Sequence, residues 1–239
     1  ARTGKPHTKL FREERERSVL MWVDFRSPMF FATRGAYKSV AAARAAAILA
    51  WSAVHYGDRL GGLVFSEQQH LEIRPQRGRK AVLHFISRLV SHSAWEHHGR
   101  DVSKHDEMGR EAAVRLRRVA RPGSLIFLIS DFRNIDAQAE SHLGQLARHN
   151  DVVMLFIHDP LEAELPPAGL YRMSDGEREM TLNTFSQESR EKYHQRFQQR
   201  HDHLRGFCRR NGIYFLSYST TQDLAATLKV GLGLKAGNK

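Results

Sequence analysis

Three aspartates stand where chemistry is most often placed in an α/β protein. Asp24 closes the apolar run "SVLMWVDF", Asp131 closes "SLIFLISDF", and Asp159 follows "DVVMLFIHDP". Short runs rich in Val, Ile, Leu and Phe read as buried strands. A carboxylate at the C-terminal end of such a strand has three ordinary uses: it can ligate a divalent cation, act as a general acid or base, or bind a cation of its own chain. It can also simply cap loop amides. Asp24, Asp131 and Asp159 together would suffice for a two-metal hydrolase or nuclease.

Other candidate chemistry is sparser. "HSAWEHHGRDVSKHDE" gathers His92, His97, His98 and His105 with Glu96, Asp101 and Asp106, but it has no cysteine and no His-Glu-x-x-His spacing, so a solvated loop is the expectation. "GAYKS" at 35–39 resembles the end of a phosphate loop without the glycines that loop requires, so nucleotide binding is not expected there. There is no Gly-x-Ser-x-Gly elbow. Cys208 lies in the stripe Tyr193, Phe197, His201, Leu204, Cys208, whose spacing makes it the packed face of a helix.

The elements that must carry these residues alternate. After the first strand comes a helix over "AYKSVAAARAAAILAWSAVHY", with Val40, Ala43, Ala47, Trp51 and Val54 as its apolar face. "GDRLGGLVF" is a second strand, "QHLEIRPQ" an edge strand, and "GRKAVLHFISRLVSH" an amphipathic helix. "GREAAVRLRRVA" stops at Pro122-Gly123, and "DAQAESHLGQLARHN" starts on an Asp cap. "GLYRMSDGEREMTLNT" reads as a hairpin about Asp175-Gly176. A long helix, capped by Ser186 and stopped by Gly212, precedes a last strand "IYFLSYST" and a last helix. Such alternation predicts a mostly parallel sheet covered on both faces, with its site at the carboxyl ends of the strands.

At 239 residues the chain can form one large domain. The expected division is an N-terminal segment at 1–17, the α/β domain at 18–232, and a flexible tail at 233–239. No apolar stretch suits a membrane span. A lone cysteine fits a reducing, cytoplasmic setting. The net charge of +11 would suit a nucleic-acid partner. The basic residues are dispersed among acidic ones, however, which favours a solvated surface.

"ARTGK…FREERERSVLMWVDFRSPMFF", "GDRLGGLVF", "SLIFLISDF" and "DPLEAELPPAGLYRMSDGERE" together resemble domain-of-unknown-function family 58 over nearly the whole chain. The resemblance implies a von Willebrand factor A-like, Rossmann-like fold and a MoxR-type AAA+ ATPase as protein partner. It also implies further sequence upstream of this chain, which does not begin with Met. In folds of that type a metal-ion-dependent adhesion site is built on Asp-x-Ser-x-Ser, a Thr and a later Asp. Here Asp24 and Asp131 match the two aspartates, but Arg26 and Pro28 replace the serines, and Ser103 is the best candidate for the Thr. Proline has no side-chain oxygen and arginine no lone pair for a metal. The expectation is therefore no metal, no cofactor and no catalysis, with Arg26 paired to Asp24 or Asp131. Asp24, Arg26, Ser27 and Asp131 would form a partner-binding face, and Phe30 and Phe31 an apolar rim or a helix-packing pair.

Overall fold

The computed structural model describes residues 16–96, 105–174 and 179–233. Its centre is a six-stranded sheet built from β1 (Ser18–Asp24), β2 (Arg59–Phe65), β3 (His70–Gln76), β4 (Leu125–Ser130), β5 (Asp151–His158) and β8 (Tyr214–Ser219). The strand order is β3-β2-β1-β4-β5-β8, all parallel except β3, which pairs antiparallel with β2. The chain leaves β1 toward one edge and returns beside it as β4. The order therefore reverses between β1 and β4, and the crevice outside their carboxyl ends is the topological switch point.

Helices cover both faces. α1 (Lys38–His55), α2 (Gly78–Val90) and α7 (Leu224–Gly231) lie over one core, with Val19, Met21 and Val23 of β1 turned toward them. α3 (His105–Val119), α4 (Ala137–Ala147) and α6 (Gln187–Asn211) lie over the other, facing Leu20 and Trp22. This alternation along a strand buried on both sides follows from the two-residue period of the pleat. α5 (Pro160–Ala163) is a single turn after β5, and β6 (Leu170–Ser174) and β7 (Glu179–Asn183) form the expected separate hairpin. The tip expected at Asp175-Gly176 lies outside the described residues.

The helix signals hold at their ends. The Asp136 side chain accepts from the Ala139 N–H at the start of α4, Ser186 caps α6, and Gly212 ends it at φ +68°. The expected face of α1 is corrected in part. Ala41, Ala42, Ala45, Ala46, Leu49, Ala50 and Ala53 are buried, Ala43 and Val54 pack at the edge of the same core, and Trp51 turns outward beneath the Arg79 guanidinium. The small side chains let the helix lie close to the sheet; a side chain as large as Trp51 would hold it off.

β2 meets a similar demand for close approach. A Cβ at Gly61 would lie 2.6 Å from the Ile73 carbonyl oxygen of β3, and one at Gly62 would collide with the Met21 carbonyl oxygen of β1. The Gly62→Ala variant is expected to lose about 2–4 kcal/mol of unfolding free energy, because backbone rather than a side-chain tip must give way. Urea denaturation measures this, and an unchanged midpoint would contradict it.

Candidate functional site

Asp24 is the last residue of β1 and is fully buried. Two residues on, the chain turns into a single 3-10 turn at Ser27–Met29, which folds Arg26 back over the strand end. Arg26 donates to Asp24 three ways: its backbone N–H at 2.9 Å and Nε at 3.0 Å to Oδ1, and Nη2 at 2.7 Å to Oδ2. Nη2 also donates to the Arg133 carbonyl at 3.1 Å. The guanidinium lies over the Phe65 ring and beneath Gly109 of α3, where a Cβ would stand 3.1 Å from Nη1. Burial alone would lower the pKa of this guanidinium; the adjacent Asp24 carboxylate reverses that and holds it above its ordinary value. The expected pairing of Arg26 with a strand-end carboxylate is thus present.

A second cation serves the other aspartate. Lys38, the first residue of α1, has a fully buried ammonium 2.6 Å from both Asp131 Oδ2 and Glu162 Oε1. A cation at a helix N-terminus opposes the helix dipole, so the two carboxylates must supply the stabilisation. Burial would raise the Asp131 pKa, but the Lys38 charge and hydrogen bond, the Arg133 N–H and the Arg133 charge lower it to about 2. Arg133 Nη2 lies 2.9 Å from Glu162 Oε1, and so closes the network at the surface.

Ser130 sits between the two halves. Its hydroxyl donates to Asp24 Oδ2 at 2.5 Å and accepts from the Phe132 N–H at 2.8 Å. That contact holds Phe132 at φ +50°, an unfavourable conformation for a bulky residue, and Asn134 follows at φ +53°. Asp159, the third strand-end aspartate, is the N-cap of α5 in a capping box with Glu162. It also accepts from the Thr33 hydroxyl and N–H and from the Thr220 hydroxyl.

The crevice therefore brings Asp24 and Asp131 to one place, as their positions at strand ends suggested, and adds Lys38, Ser130, Arg133 and Glu162, which sequence reasoning missed. A legible signal existed for Lys38: it stands just before an apolar alanine-rich helix, where the helix start must be buried. The donor set does not suit Mg²⁺, because the carboxylate oxygens face a guanidinium and an ammonium, and the Ser130 oxygen already accepts from the Phe132 N–H. Direct presentation of Arg26 to a partner is corrected: Asp24, Arg26 and Asp131 are all 0 % exposed. Ser27, half-buried, donates its N–H and hydroxyl to Glu67 Oε1 at the rim. Phe30 packs against Trp95 and Tyr37 beside the core.

Of the histidine cluster, His92 is buried, its Nδ1 accepting from the Ala94 N–H. His97, His98, Asp101 and Ser103 lie outside the described residues. His201 is half-buried among Phe156, Phe197 and Phe215, and Cys208 is buried, as the helical stripe predicted.

A six-stranded, mostly parallel sheet in this order, with one antiparallel edge and helices on both faces, is a Rossmann-like α/β fold of the von Willebrand factor A-like kind. The chain belongs to the family described as protein of unknown function DUF58, whose model matches residues 1–203. Its fold is similar to that of the conserved hypothetical protein BatB from Bacteroides thetaiotaomicron (15 % identity, 90 % of this chain and 96 % of that one, TM-score 0.56). It is likewise similar to an aerotolerance-related membrane protein from Bacteroides fragilis NCTC 9343 (14 % identity, 91 % and 97 %, TM-score 0.56). No curated protein matches the sequence. Among the described residues no helix is long and apolar enough to cross a membrane.

Removing either cation strands a buried carboxylate. Arg26→Ala and Lys38→Met are each expected to lose roughly 3–5 kcal/mol of stability, with Lys38→Met/Asp131→Asn milder than Lys38→Met alone. Equal denaturation midpoints for the two lysine variants would contradict the pairing.

Stability should also fall in two acid steps. His92 and His158 have pKa values lowered from 6.5 to about 4: both chiefly by burial, His92 then by the Arg88 charge, and His158 by His201, Arg200 and Lys38. A depressed pKa gives stability that is complete above the unfolded value and lost as pH falls through the folded one. The histidines therefore act between pH 6.5 and about 4, and Asp131 between 3.8 and about 2. The Asp131 step is worth on the order of 2 kcal/mol. Urea midpoints measured across this range test the sequence of steps; a midpoint flat from pH 7 to 4 would sink the histidine assignment.

Proposed function

We propose that this domain is a non-enzymatic protein-interaction module whose working face is the rim above the switch point, and that its partner is a MoxR-type AAA+ ATPase. The observation that carries the reading is the internal saturation of the crevice: Asp24 holds Arg26, and Asp131 and Glu162 hold Lys38. A face whose carboxylates are already paired to cations of its own chain leaves Asp24 and Asp131 committed, and it offers shape and rim polarity for recognition. In this reading it is a degenerate metal-ion-dependent adhesion site. The family resemblance supplies the ATPase.

Asp24, Arg26 and Asp131 then act from beneath, fixing the loops that carry Ser27, Thr33, Arg34 and Arg133. The rival reading, a hydrolase using Asp24, Asp131 and Asp159, requires all three to leave their present partners. A nuclease assay that stays flat in Mg²⁺ and Mn²⁺ supports the non-enzymatic reading, and a basic nucleic-acid binder would instead be retained on heparin with a steep salt dependence.

Arg34 is exposed on the loop between β1 and α1. The Arg34→Glu variant is expected to reduce co-purification with the ATPase by about tenfold while leaving the melting temperature unchanged, because a rim charge governs association rather than folding. Undiminished co-purification would place the contact elsewhere.

A further inference from the structure

Arg200, midway along α6, is half-buried and differs from the buried cations Arg26 and Lys38. Among the described residues it makes no hydrogen bond and no ion pair, and its Nε is buried without a partner. The guanidinium lies over the Phe156 and Phe197 rings, 5.6 Å from each centroid. Stacking of this kind offsets only part of what it costs to remove a charge from water. Burial, and then the like charge of Arg133, lower its pKa; Asp131, Glu162 and Tyr193 act in the opposite sense.

Two more buried nitrogen atoms beside it make no hydrogen bond. Arg133 Nε lies 3.7 Å from Asp131 Oδ2, an ion pair without a hydrogen bond, while Nη2 of the same side chain holds Glu162. His158 Nδ1, at the end of β5, is buried without a partner, and its ring packs 5.2 Å from Phe197. Both α6 and the loop after β4 therefore bring unsatisfied nitrogen atoms to the carboxyl end of β5. Lys38 and Arg133 are ion-paired to Asp131 and Glu162, whereas Arg200 has no carboxylate within ion-pairing distance among the described residues. Asp159, the remaining carboxylate nearby, accepts from Thr33, Thr220 and the Leu161 N–H rather than from Arg200.

We propose that Arg200 and Arg133, with His158 beside them, form a site that receives a single carboxylate from an acidic segment of a partner protein. A carboxylate would give the Arg200 guanidinium the acceptor it lacks. A phosphate monoester, carrying close to two charges at neutral pH, would be repelled by Asp131 and Glu162. The positive-φ turn at Phe132 and Asn134 holds Arg133 in place without a ligand, so the donors are arranged in advance. The proposal rests on the protein-interaction reading for the source of the carboxylate.

The test uses the full chain and a fluorescein-labelled hexaglutamate peptide, read by anisotropy, with inorganic phosphate as competitor. Arg200→Met keeps the apolar stem over the rings and removes the charge; Arg205→Met, exposed on the same helix, controls for the general basicity of the chain. Arg200→Met is expected to weaken peptide binding at least about tenfold, Arg205→Met by less than about twofold. Without peptide, Arg200→Met should melt at the wild-type temperature or above, since it removes an unpaired, half-buried charge. Wild-type affinity in Arg200→Met, a lowered melting temperature, or displacement of the peptide by phosphate at concentrations where acetate fails would each overturn the proposal. No ATPase is present, so loss of ATPase capture with intact peptide binding would sink the partner assignment and leave the carboxylate site standing.

Discussion

The domain is organised around a dry balance of charge at the switch point of its sheet. Parallel strands deliver carboxylates to the crevice between β1 and β4, and a carboxylate there cannot stay ionised without a cation. The chain supplies two, from opposite directions: Arg26 folds back from the turn after β1, and Lys38 enters from the start of α1. Each draws in further structure. Arg26 needs the space left by Gly109 in α3, and Lys38 needs Glu162, whose position is fixed by the capping box of α5. Loops after β1, β4 and β5 and helices on both faces are thus tied to one cluster of ion pairs.

Pairing of this kind is not a source of great net stability, since the cost of desolvation offsets much of the attraction. It gives definition. An ion pair with hydrogen bonds on several sides tolerates few alternative geometries, so the loops it anchors present a fixed outline. Phe132 illustrates the result: a bulky side chain stays in the left-handed region because Ser130 receives its N–H and Trp22 stacks on its ring. Rigidity at the floor of the crevice and polarity at its rim are what the proposed recognition role draws on.

Much of this was legible in the sequence, and the failures have specific causes. The strands were readable because a strand buried on both faces needs an unbroken apolar run, and the caps Asp136, Ser186 and Gly212 because helix ends have defined chemistry. The Asp24–Arg26 pair was readable because only one residue, Phe25, lies between its members. Lys38 and Asp131 are 93 residues apart, and Lys38 and Glu162 are 124 apart, so nothing local announces their contact. Pairing at that range depends on how α1 and α5 meet the sheet. The burial of Arg26 was missed for a related reason: α3, with the glycine that admits the guanidinium, covers it from a distant part of the chain. On α1, composition marked an apolar helix but not which of two apolar faces lies inward, because alanine scores weakly while packing closely.

The Lys38, Asp131, Glu162 and Arg133 set also constrains how such a face can change by descent. The Lys38 ammonium has two carboxylate partners, so loss of Asp131 or Glu162 leaves it one, whereas loss of Lys38 leaves both carboxylates buried without their ammonium. A change at Lys38 is therefore tolerated only alongside changes at Asp131 and Glu162, and the three positions are free to vary together but not singly.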